Sequence, residues 1–265
     1  MLGNEDSDIE RNMWLRAAIE AAKMGGCVLQ EWKGRFSVRE KSRANLVTEA
    51  DEASQSAILN CLKGQFPEHG FLGEESLNDR SNESVACWII DPLDGTTNYV
   101  HGFPYYCVSI ALAYRGLLEI GVIYDPNRDE VFTAARTKGA FCNGLPIRTS
   151  GESNLKSAMA IASLPVATDP DNPAVKRFLT GLTQLQTVQR TGSAALNMAY
   201  IGCGRVDAFW SSSLHPWDVA AGALIVQEAG GSVTNLQGDT FDLFVPSVLA
   251  ASTANLAQDL ATALR

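Results

Sequence analysis

The segment 88–98 constrains the fold of this chain more than any other. It reads Trp-Ile-Ile-Asp-Pro-Leu-Asp-Gly-Thr-Thr-Asn, so an apolar run typical of a buried strand ends in two carboxylates, Asp91 and Asp94. Pro92 between them restricts the backbone, and Gly95 follows at once. Two acids held so rigidly at a strand end repel each other unless a cation lies between them. The segment therefore predicts a metal site at the end of a strand.

The first half of the chain combines helical patterns with strands of period two. Apolar residues recur at helical spacing over residues 8–32, and Thr48 with Asp51 has the spacing of a capping box that begins a second helix. The candidate strands are 71–73, 87–90, 106–114, 117–124 and 130–135. The short turns between the last three predict an antiparallel meander, and residues 139–144 predict another hairpin with an Asn-Gly turn.

After about residue 150 strands and helices alternate. The predicted strands are 158–162, 187–190, 208–210 and 248–251, and the predicted helices are 173–185, 193–202, 216–229 and 255–264. The pattern indicates one compact unit over 1–265, with helices and a largely antiparallel sheet over about 1–149 and an α/β half over about 150–265. The predicted fold class is mixed α and β, of the α+β type.

The net charge and the histidines argue against two classes of function. A formal net charge of −9 makes nucleic acid an unexpected primary ligand, although a solvated acidic surface explains most of this charge. The 3 histidines lack the His-x-x-x-His spacing, so a zinc hydrolase of that type is not expected.

The sequence also predicts a cytoplasmic location. The 6 cysteines include no Cys-x-x-Cys pair, which indicates reduced thiols rather than a disulfide framework or a zinc site. The acidic N-terminus lacks the pattern of a signal peptide, and no apolar run has the length of a membrane span. We therefore expect no membrane partner.

Five acids stand out by their position in these patterns: Asp51, Glu74, Asp91, Asp94 and Asp218. Each has a purely structural interpretation when it is taken alone. Asp51 completes the capping box, Asp218 complements the positive end of a helix, and Glu74 lies in a solvated loop. Asp91 and Asp94 are less easily explained as turn formers, because one turn needs one Asp and here two follow a buried strand.

The metal interpretation has a definite chemical content. Oxygen ligands with no His or Cys nearby suit a hard cation such as Mg²⁺, which binds a few carboxylates together with water and substrate phosphate. Two such ions roughly 3.5–4 Å apart can hold an attacking water and a leaving oxygen on opposite sides of phosphorus. Asp91 could bridge both ions, and the carbonyl of Leu93 could add a ligand from the same turn.

The residues after the two acids supply groups for a phosphate and a water. Gly95 and Thr96 offer backbone N–H groups at a helix or turn N-terminus, where phosphate binds well. The Thr96 hydroxyl, beside a carboxylate such as Glu74, could orient and help deprotonate a water. No Ser-His-Asp or Cys-His set competes, and we interpret His101 and His215 as structural.

Two long and two short motifs together resemble the inositol monophosphatase family of Mg²⁺-dependent, Li⁺-sensitive phosphatases. The first long motif is residues 88–98, and the second begins at Trp217-Asp218. The remaining matched segments are 102–104, 108–110, 228–231, 46–51 and 73–76. The resemblance extends from the first helix to the last and implies an αβαβα layered sandwich and a homodimer.

The resemblance also implies a set of metal ligands. Glu74, Asp91 and the Leu93 carbonyl would hold a first ion, which activates water. Asp91, Asp94 and Asp218 would hold a second ion at the leaving-group oxygen. Glu74 with waters would hold a weaker third ion, so that two to three Mg²⁺ ions are expected.

The family pattern assigns substrate and catalytic roles as well. Thr96, supported by Asp51, would help to activate the water, and the Gly95 and Thr96 amides would bind phosphate. Residues 192–194 (Gly192, Ser193 and Ala194) resemble a segment that faces the substrate, although they are equally well explained as the start of a helix.

One position departs from the inositol-preferring members of the family. Seven residues before the second-motif Asp they carry a Glu that bonds ring hydroxyls, whereas this chain has Ser211. A serine makes one hydrogen bond but cannot act as a charged bidentate acceptor for a diol. The case for myo-inositol 1-phosphate is weaker for that reason.

The predicted function is a Mg²⁺-dependent phosphomonoesterase for a small polyol or sugar phosphate, similar to inositol monophosphatase. Histidinol-phosphate phosphatase, fructose-1,6-bisphosphatase and 3′-phosphoadenosine 5′-phosphate phosphatase remain alternatives with the same site. A regulatory or scaffold protein that retains the fold is the alternative outside enzymes, and the presence of every expected ligand argues against it.

Overall fold

The computed structural model describes residues 4–42, 45–74, 78–79, 85–165 and 168–265. Its helices are α1 (Asn4–Trp32), α2 (Glu49–Gln65), α3 (Thr96–Val100), α4 (Pro173–Gln184), α5 (Ala194–Gly202), α6 (Pro216–Glu228) and α7 (Ala254–Ala263). Its first strands are β1 (Val38–Ser42), β2 (Asn45–Thr48), β3 (Gly70–Gly73), β4 (Asn78–Asp79), β5 (Ala86–Asp94), β6 (Cys107–Tyr114), β7 (Leu117–Asp125) and β8 (Glu130–Ala135). The others are β9 (Ala140–Cys142), β10 (Leu145–Ile147), β11 (Met159–Ala162), β12 (Thr187–Gln189), β13 (Ala208–Ser211), β14 (Ser232–Thr234) and β15 (Val248–Ala251).

The larger sheet has the strand order β10-β9-β8-β7-β6-β5-β3-β4 in the described residues. The predicted meander is confirmed, because β6, β7 and β8 pair in antiparallel succession after β5. The Asn-Gly hairpin is also confirmed, since Asn143 and Gly144 both have positive φ between β9 and β10. Strands β3 and β5 pair in parallel, which brings their carboxyl ends to the same edge of this sheet.

The smaller sheet is built from the second half of the chain in the order β12-β11-β13-β15-β14. Strand β11 pairs in parallel with β12 and β13, whereas β15 pairs in antiparallel fashion with β13 and β14. The predicted alternation of strands and helices is therefore confirmed over this half.

Five layers follow from how the apolar faces are buried. Helices α1 and α2 cover one face of the larger sheet, and α5 and α6 cover its other face. The same two helices also pack on the smaller sheet, whose outer face is covered by α4 and α7. Helix α6 is apolar on all sides, as a helix between two sheets must be. The αβαβα sandwich is confirmed.

The predicted capping box begins α2. The Thr48 hydroxyl accepts from the Ala50 N–H over 3.2 Å, and Asp51 accepts from the Thr48 N–H over 2.9 Å. Within the described residues, no helix is long and apolar enough to span a bilayer.

The structure contains elements that the sequence patterns did not predict. The hairpin of β1 and β2 was missed because Val-Arg-Glu-Lys-Ser shows no apolar alternation. The short helix α3 and the edge strands β4 and β14 were missed as well. Strand β5 is longer than the predicted 87–90 and continues through Asp94, with an irregularity in its pairing to β6 between Asp91 and Asp94.

Candidate active site

The two acids of segment 88–98 lie at the carboxyl end of β5. Asp91 is 1% exposed, and its Oδ1 accepts from the Leu93 N–H over 3.0 Å. The pairing irregularity after Asp91 lets the strand continue to Asp94, which is also buried. The end of β5 is anchored to α2, because the Ser54 hydroxyl donates to the carbonyl of Pro92, between the two acids, over 3.0 Å.

Two further acids reach this strand end from other elements. Glu74 directly follows β3, whose Gly73 is in register with Ile90 of β5, so the parallel pairing places Glu74 beside Asp91. Asp218 lies in the first turn of α6, where its Oδ2 accepts from the His215 N–H over 2.7 Å. The fold therefore brings together the four predicted acidic ligands from two elements, β5 and α6, and from the residue after β3.

The electrostatics of the cluster show how close these acids are. Burial raises the pKa of Asp91 well above its usual value, and the charges of Glu74, Asp94 and Asp218 raise it further. Burial likewise raises the pKa of Asp218, with Asp94 as the next cause. Burial also raises the pKa of Asp94, although hydrogen bonds from Ser193 and backbone amides oppose the shift.

A divalent cation fits this donor set. Among the described residues, no three acidic, His or Cys side chains converge on one point as a complete ligand group. Asp91, Asp94 and Asp218 each have one oxygen that accepts from a backbone N–H. Mg²⁺ needs only one or two carboxylates in addition to water and phosphate, and it relieves the repulsion that raises these pKa values.

Asp94 is held by the start of α5. Its Oδ2 accepts from the Ser193 hydroxyl over 2.6 Å and from the Ala195 N–H over 2.7 Å, and its Oδ1 accepts from the Ala194 N–H over 3.3 Å. Ser193 also caps the helix by accepting from the Leu196 N–H. The interpretation of residues 192–194 as a helix start is confirmed, and the same segment contacts Asp94, a predicted ligand. Substrate contact by this segment stays a prediction.

Thr96 connects the strand end to α2. Its hydroxyl lies 3.2 Å from Asp51 Oδ1 and 3.2 Å from the Leu93 carbonyl oxygen. Gly95 before it has φ +100°, and a Cβ there would lie 3.0 Å from the Tyr105 carbonyl oxygen. A residue with a side chain would be strained at this turn, and the Gly is required for that reason. Phosphate binding by the Gly95 and Thr96 amides stays a prediction.

Ser211 lies at the end of β13 and is 1% exposed. Its hydroxyl oxygen accepts a long hydrogen bond of 3.4 Å from the Ser213 N–H. His215 is stacked on Trp217, with ring centroids 4.8 Å apart, beside Asp218. The described part of segment 73–76 ends at Glu74, so Glu75 and Ser76 lie outside the described residues.

Sequence reasoning gave no role to two residues that organise the site. Asn98 donates to backbone carbonyls of two different segments, and Cys107 lies 3.8 Å from Asp94 Oδ2. Asn98 belongs to the first long motif, so its position was a usable signal. The sequence around Cys107 gave no such signal, because a cysteine in an apolar strand is normally a packing residue.

The family model described as "Inositol monophosphatase family" matches residues 10–265. The chain belongs to the inositol monophosphatase family. It is 42% identical over 253 residues to "Inositol monophosphatase 3" from Solanum lycopersicum, covering 92% of this chain and 93% of that relative. It is 39% identical over 248 residues to "Nus factor SuhB" from Pseudomonas aeruginosa, covering 90% and 91%.

A solved structure agrees with this assignment. The extragenic suppressor protein suhB from Bartonella henselae matches with a TM-score of 0.91 and 35% identity, covering 96% of this chain and 98% of that chain. Membership of the inositol monophosphatase family supports a phosphatase, of a family whose members are generally metal-dependent.

Proposed function

We propose that this protein is a Mg²⁺-dependent phosphomonoesterase that hydrolyses a small polyol or sugar phosphate. The observation that carries the proposal is the position of Glu74, Asp91, Asp94 and Asp218 at one strand end, where the other three charges raise the pKa of the buried Asp91 in addition to the effect of burial. Side chains of this kind are costly to bury together without a cation.

The acidic residues of the site would hold the metal ions. Bound Mg²⁺ supplies positive charge that stabilises the phosphoryl oxygens and the leaving oxygen. One ion would be held by Glu74, Asp91 and the Leu93 carbonyl. A second ion would be held by Asp91, Asp94 and Asp218, so that Asp91 would contact both ions. Two to three ions are proposed on this basis.

Thr96 and Asp51 would orient the attacking water and accept its proton. Since the Thr96 hydroxyl donates to Asp51 over 3.2 Å, its oxygen is oriented to accept a hydrogen bond from that water. Asp51 supplies the negative charge at the end of this series of hydrogen bonds from the water through Thr96. Its carboxylate is itself stabilised by the Thr48 N–H and hydroxyl. The Gly95 and Thr96 amides would bind the phosphate.

The choice of ester depends on the region around Ser211. Because this position lacks an acidic side chain, we expect weaker discrimination among ring diols than an acidic residue would give. Inositol 1-phosphate remains the first candidate, since the relatives named inositol monophosphatase align over most of the chain. Histidinol phosphate, fructose 1,6-bisphosphate and 3′-phosphoadenosine 5′-phosphate are the competing substrates.

The experiment is phosphate release with Mg²⁺ from a panel of these esters by the wild type and the Asp91→Asn variant. The exposed Asp259→Asn on α7 is the matched control, because it removes one carboxylate far from β5 in the chain. We expect activity in the wild type and the control and a loss of at least about 10²-fold in Asp91→Asn. Full activity of Asp91→Asn would falsify the metal-holding role. Inhibition by Li⁺ is part of the proposal and is measured in the same assay.

The proposal extends to assembly and location. We expect a homodimer, which sedimentation analysis tests directly. A cytoplasmic location is supported by the cysteines, since Cys27, Cys61, Cys87, Cys107, Cys142 and Cys203 are all free thiols.

A second candidate is a regulatory protein with the same fold. It is favoured by one observation, the similarity to a relative named "Nus factor SuhB". Recovery of stoichiometric partners from native extract, combined with no phosphate release, would support this candidate against the enzyme.

A further inference from the structure

The side chain of Asn98 joins two segments that are distant in sequence. Its Nδ2 donates to the Tyr105 carbonyl over 2.7 Å and to the Thr191 carbonyl over 2.8 Å. The first bond closes the loop that follows α3, and the second reaches 93 residues along the chain to the segment before α5. One amide group therefore uses both of its N–H donors on backbone acceptors.

The segment after Thr191 lies directly on this amide. Gly192 has φ +94°, and a Cβ there would lie 2.8 Å from Asn98 Nδ2 and 3.0 Å from its Oδ1. Any other residue at Gly192 would push the segment away from Asn98. The next residue is Ser193, whose hydroxyl donates to Asp94 over 2.6 Å. Only Gly192 thus separates the residue whose carbonyl Asn98 holds from the residue whose hydroxyl holds Asp94.

A second amide, which is buried, fixes the same segment from the other side. Asn197, fully buried in α5, accepts at Oδ1 from the Thr191 hydroxyl over 2.6 Å and from the Tyr105 hydroxyl over 2.9 Å. Thr191 and Tyr105 are the same two residues whose carbonyls Asn98 holds. The side chains of these four residues, with the carbonyls of Tyr105 and Thr191, form one hydrogen-bonded link. The link joins the loop after α3 to the first turn of α5.

We propose that Asn98 is a positioning residue for Asp94. The inference rests on the proposed phosphatase function and adds a residue that sets the geometry of that site. By holding the Thr191 carbonyl, Asn98 fixes where Ser193 and the Ala195 N–H meet Asp94, and so fixes the orientation of that carboxylate. Asn98 itself does not touch the reacting groups.

The primary test compares Asn98→Ala with Asn98→Asp, which keeps the shape of the side chain but removes both N–H donors. We expect each to lower kcat by about tenfold, because a residue that orients a metal ligand typically costs 10- to 100-fold on removal. Ser252→Ala is the control, since it removes a fully buried hydroxyl that donates to the Glu152 carbonyl over 2.6 Å. The control is expected to change stability and to leave kcat within about twofold.

A double-mutant cycle separates positioning from a general loss of stability. If Asn98 acts through Ser193 as well as through the Ala195 N–H, then Asn98→Ala lowers kcat by a smaller factor in a Ser193→Ala background than in the wild type, because one of the contacts it positions is already gone. Equal fold losses in both backgrounds would overturn the proposal. If Asn98→Ala does not fold, Thr191→Val replaces it in the same cycle, since it breaks the link to Asn197 instead.

Calorimetric titration of Mg²⁺ without substrate provides a readout that is independent of turnover. Asn98→Ala and Ser193→Ala are both expected to weaken Mg²⁺ binding, and Ser252→Ala is not. Unchanged Mg²⁺ binding and kcat in Asn98→Ala, with an active wild type, would reject the positioning role alone. A wild type that neither releases phosphate nor binds Mg²⁺ would reject the proposed function and this inference together.

Discussion

The hydroxyl of Thr96 donates to Oδ1 of Asp51 over 3.2 Å, while Oδ2 of the same carboxylate accepts from the N–H and hydroxyl of Thr48. One oxygen of Asp51 therefore caps α2 and the other faces the strand end of β5. The capping interpretation and the catalytic interpretation of Asp51 are compatible, because each uses a different oxygen of the carboxylate. Helix capping also holds Asp51 in the position that Thr96 requires.

The first prediction concerns this pair. Thr96→Val keeps the shape of the side chain and removes the hydroxyl, and we expect kcat to fall by about 10²-fold with little change in KM. Thr96→Ser restores a hydroxyl and is expected to recover most of the activity. The neighbouring exposed Thr97→Val serves as control. Steady-state phosphate release measures all three, and a kcat of Thr96→Val close to wild type would remove Thr96 from the mechanism.

The second prediction links Mg²⁺, pH and stability. Burial and mutual repulsion raise the folded-state pKa of Asp91 and Asp218 above the usual value of 3.8. Groups with a raised folded pKa stabilise the fold at low pH, and this contribution is lost as pH rises through the folded value. Without metal, the cluster should therefore lower stability as pH rises above about 4. Bound Mg²⁺ should restore it, because the cation neutralises the same charges.

Thermal unfolding with and without Mg²⁺ measures this effect. The rise in Tm caused by Mg²⁺ is expected to grow with pH between about 5 and 8, because ligands must lose their protons before they bind the ion. Asp91→Asn removes one repelling charge and is expected to raise the Tm of the metal-free protein and to reduce the response to Mg²⁺. A Mg²⁺ response that is equal at all pH values would contradict the account of these pKa shifts.

The third prediction tests whether Ser211 contacts the substrate. If its hydroxyl bonds a substrate hydroxyl, Ser211→Ala should raise KM for inositol 1-phosphate about five- to tenfold, the equivalent of one hydrogen bond. The KM for phenyl phosphate, which has no such hydroxyl, should stay the same. The variant also removes the acceptor of the Ser213 N–H. Any structural effect of that loss acts on both substrates alike, so the comparison between the two KM values isolates the contact with the substrate hydroxyl. An equal change for both esters would assign Ser211 a structural role.

The positions of most predicted ligands could be anticipated from the sequence, because these residues lie at ends of elements that have strong local signals. Asp91 ends an apolar run, and Asp218 follows a Pro at the start of a helix, so their places needed only the positions of β5 and α6. The β1–β2 hairpin lacks apolar alternation and could not be found in this way. The registration of β3 beside β5, which places Glu74, depends on tertiary pairing that no local pattern encodes.

The contacts around Asp94 could not be predicted from the sequence for a similar reason. Its partner Ser193 lies 99 residues away, and the link through Asn98 depends on how the two halves of the chain pack. Local patterns predict that Ser193 starts a helix, but they do not predict which side chain meets that helix start. Long-range hydrogen bonds of this kind require the structure.

The fourth prediction concerns His69, whose ring is stacked on Phe66 with centroids 4.9 Å apart. Burial lowers its pKa below the usual 6.5, so the unfolded chain binds a proton more readily than the folded protein does. Its contribution to stability is present above pH 6.5 and is lost as pH falls toward the folded value. Denaturant unfolding should show a steeper loss below pH 6.5 in the wild type than in His69→Phe. His101→Phe, at the exposed end of α3, is the control, and an identical pH dependence in wild type and His69→Phe would contradict this account.

The fifth prediction tests how closely α6 must approach the larger sheet. A Cβ at Gly121 of β7 would lie 2.7 Å from the carbonyl oxygen and 3.1 Å from the Cα of Ala221 in α6. Since both contacts are with backbone, Gly121→Ala should displace the helix and cost about 1–3 kcal/mol of the free energy of unfolding. Gly64→Ala is the matched control, because a Cβ there meets nothing within 4 Å and the residue lies in helix α2, where alanine should stabilise by about 0.5–1 kcal/mol.

The displacement of α6 should also reach the site, since Asp218 lies in the first turn of that helix. We therefore expect Gly121→Ala to weaken Mg²⁺ binding as well as stability, while Gly64→Ala leaves Mg²⁺ binding unchanged. Chemical denaturation and calorimetric Mg²⁺ titration measure the two effects on the same samples. If Gly121→Ala lost stability but bound Mg²⁺ as the wild type does, the packing of α6 on β7 would hold the layers together without setting the position of Asp218.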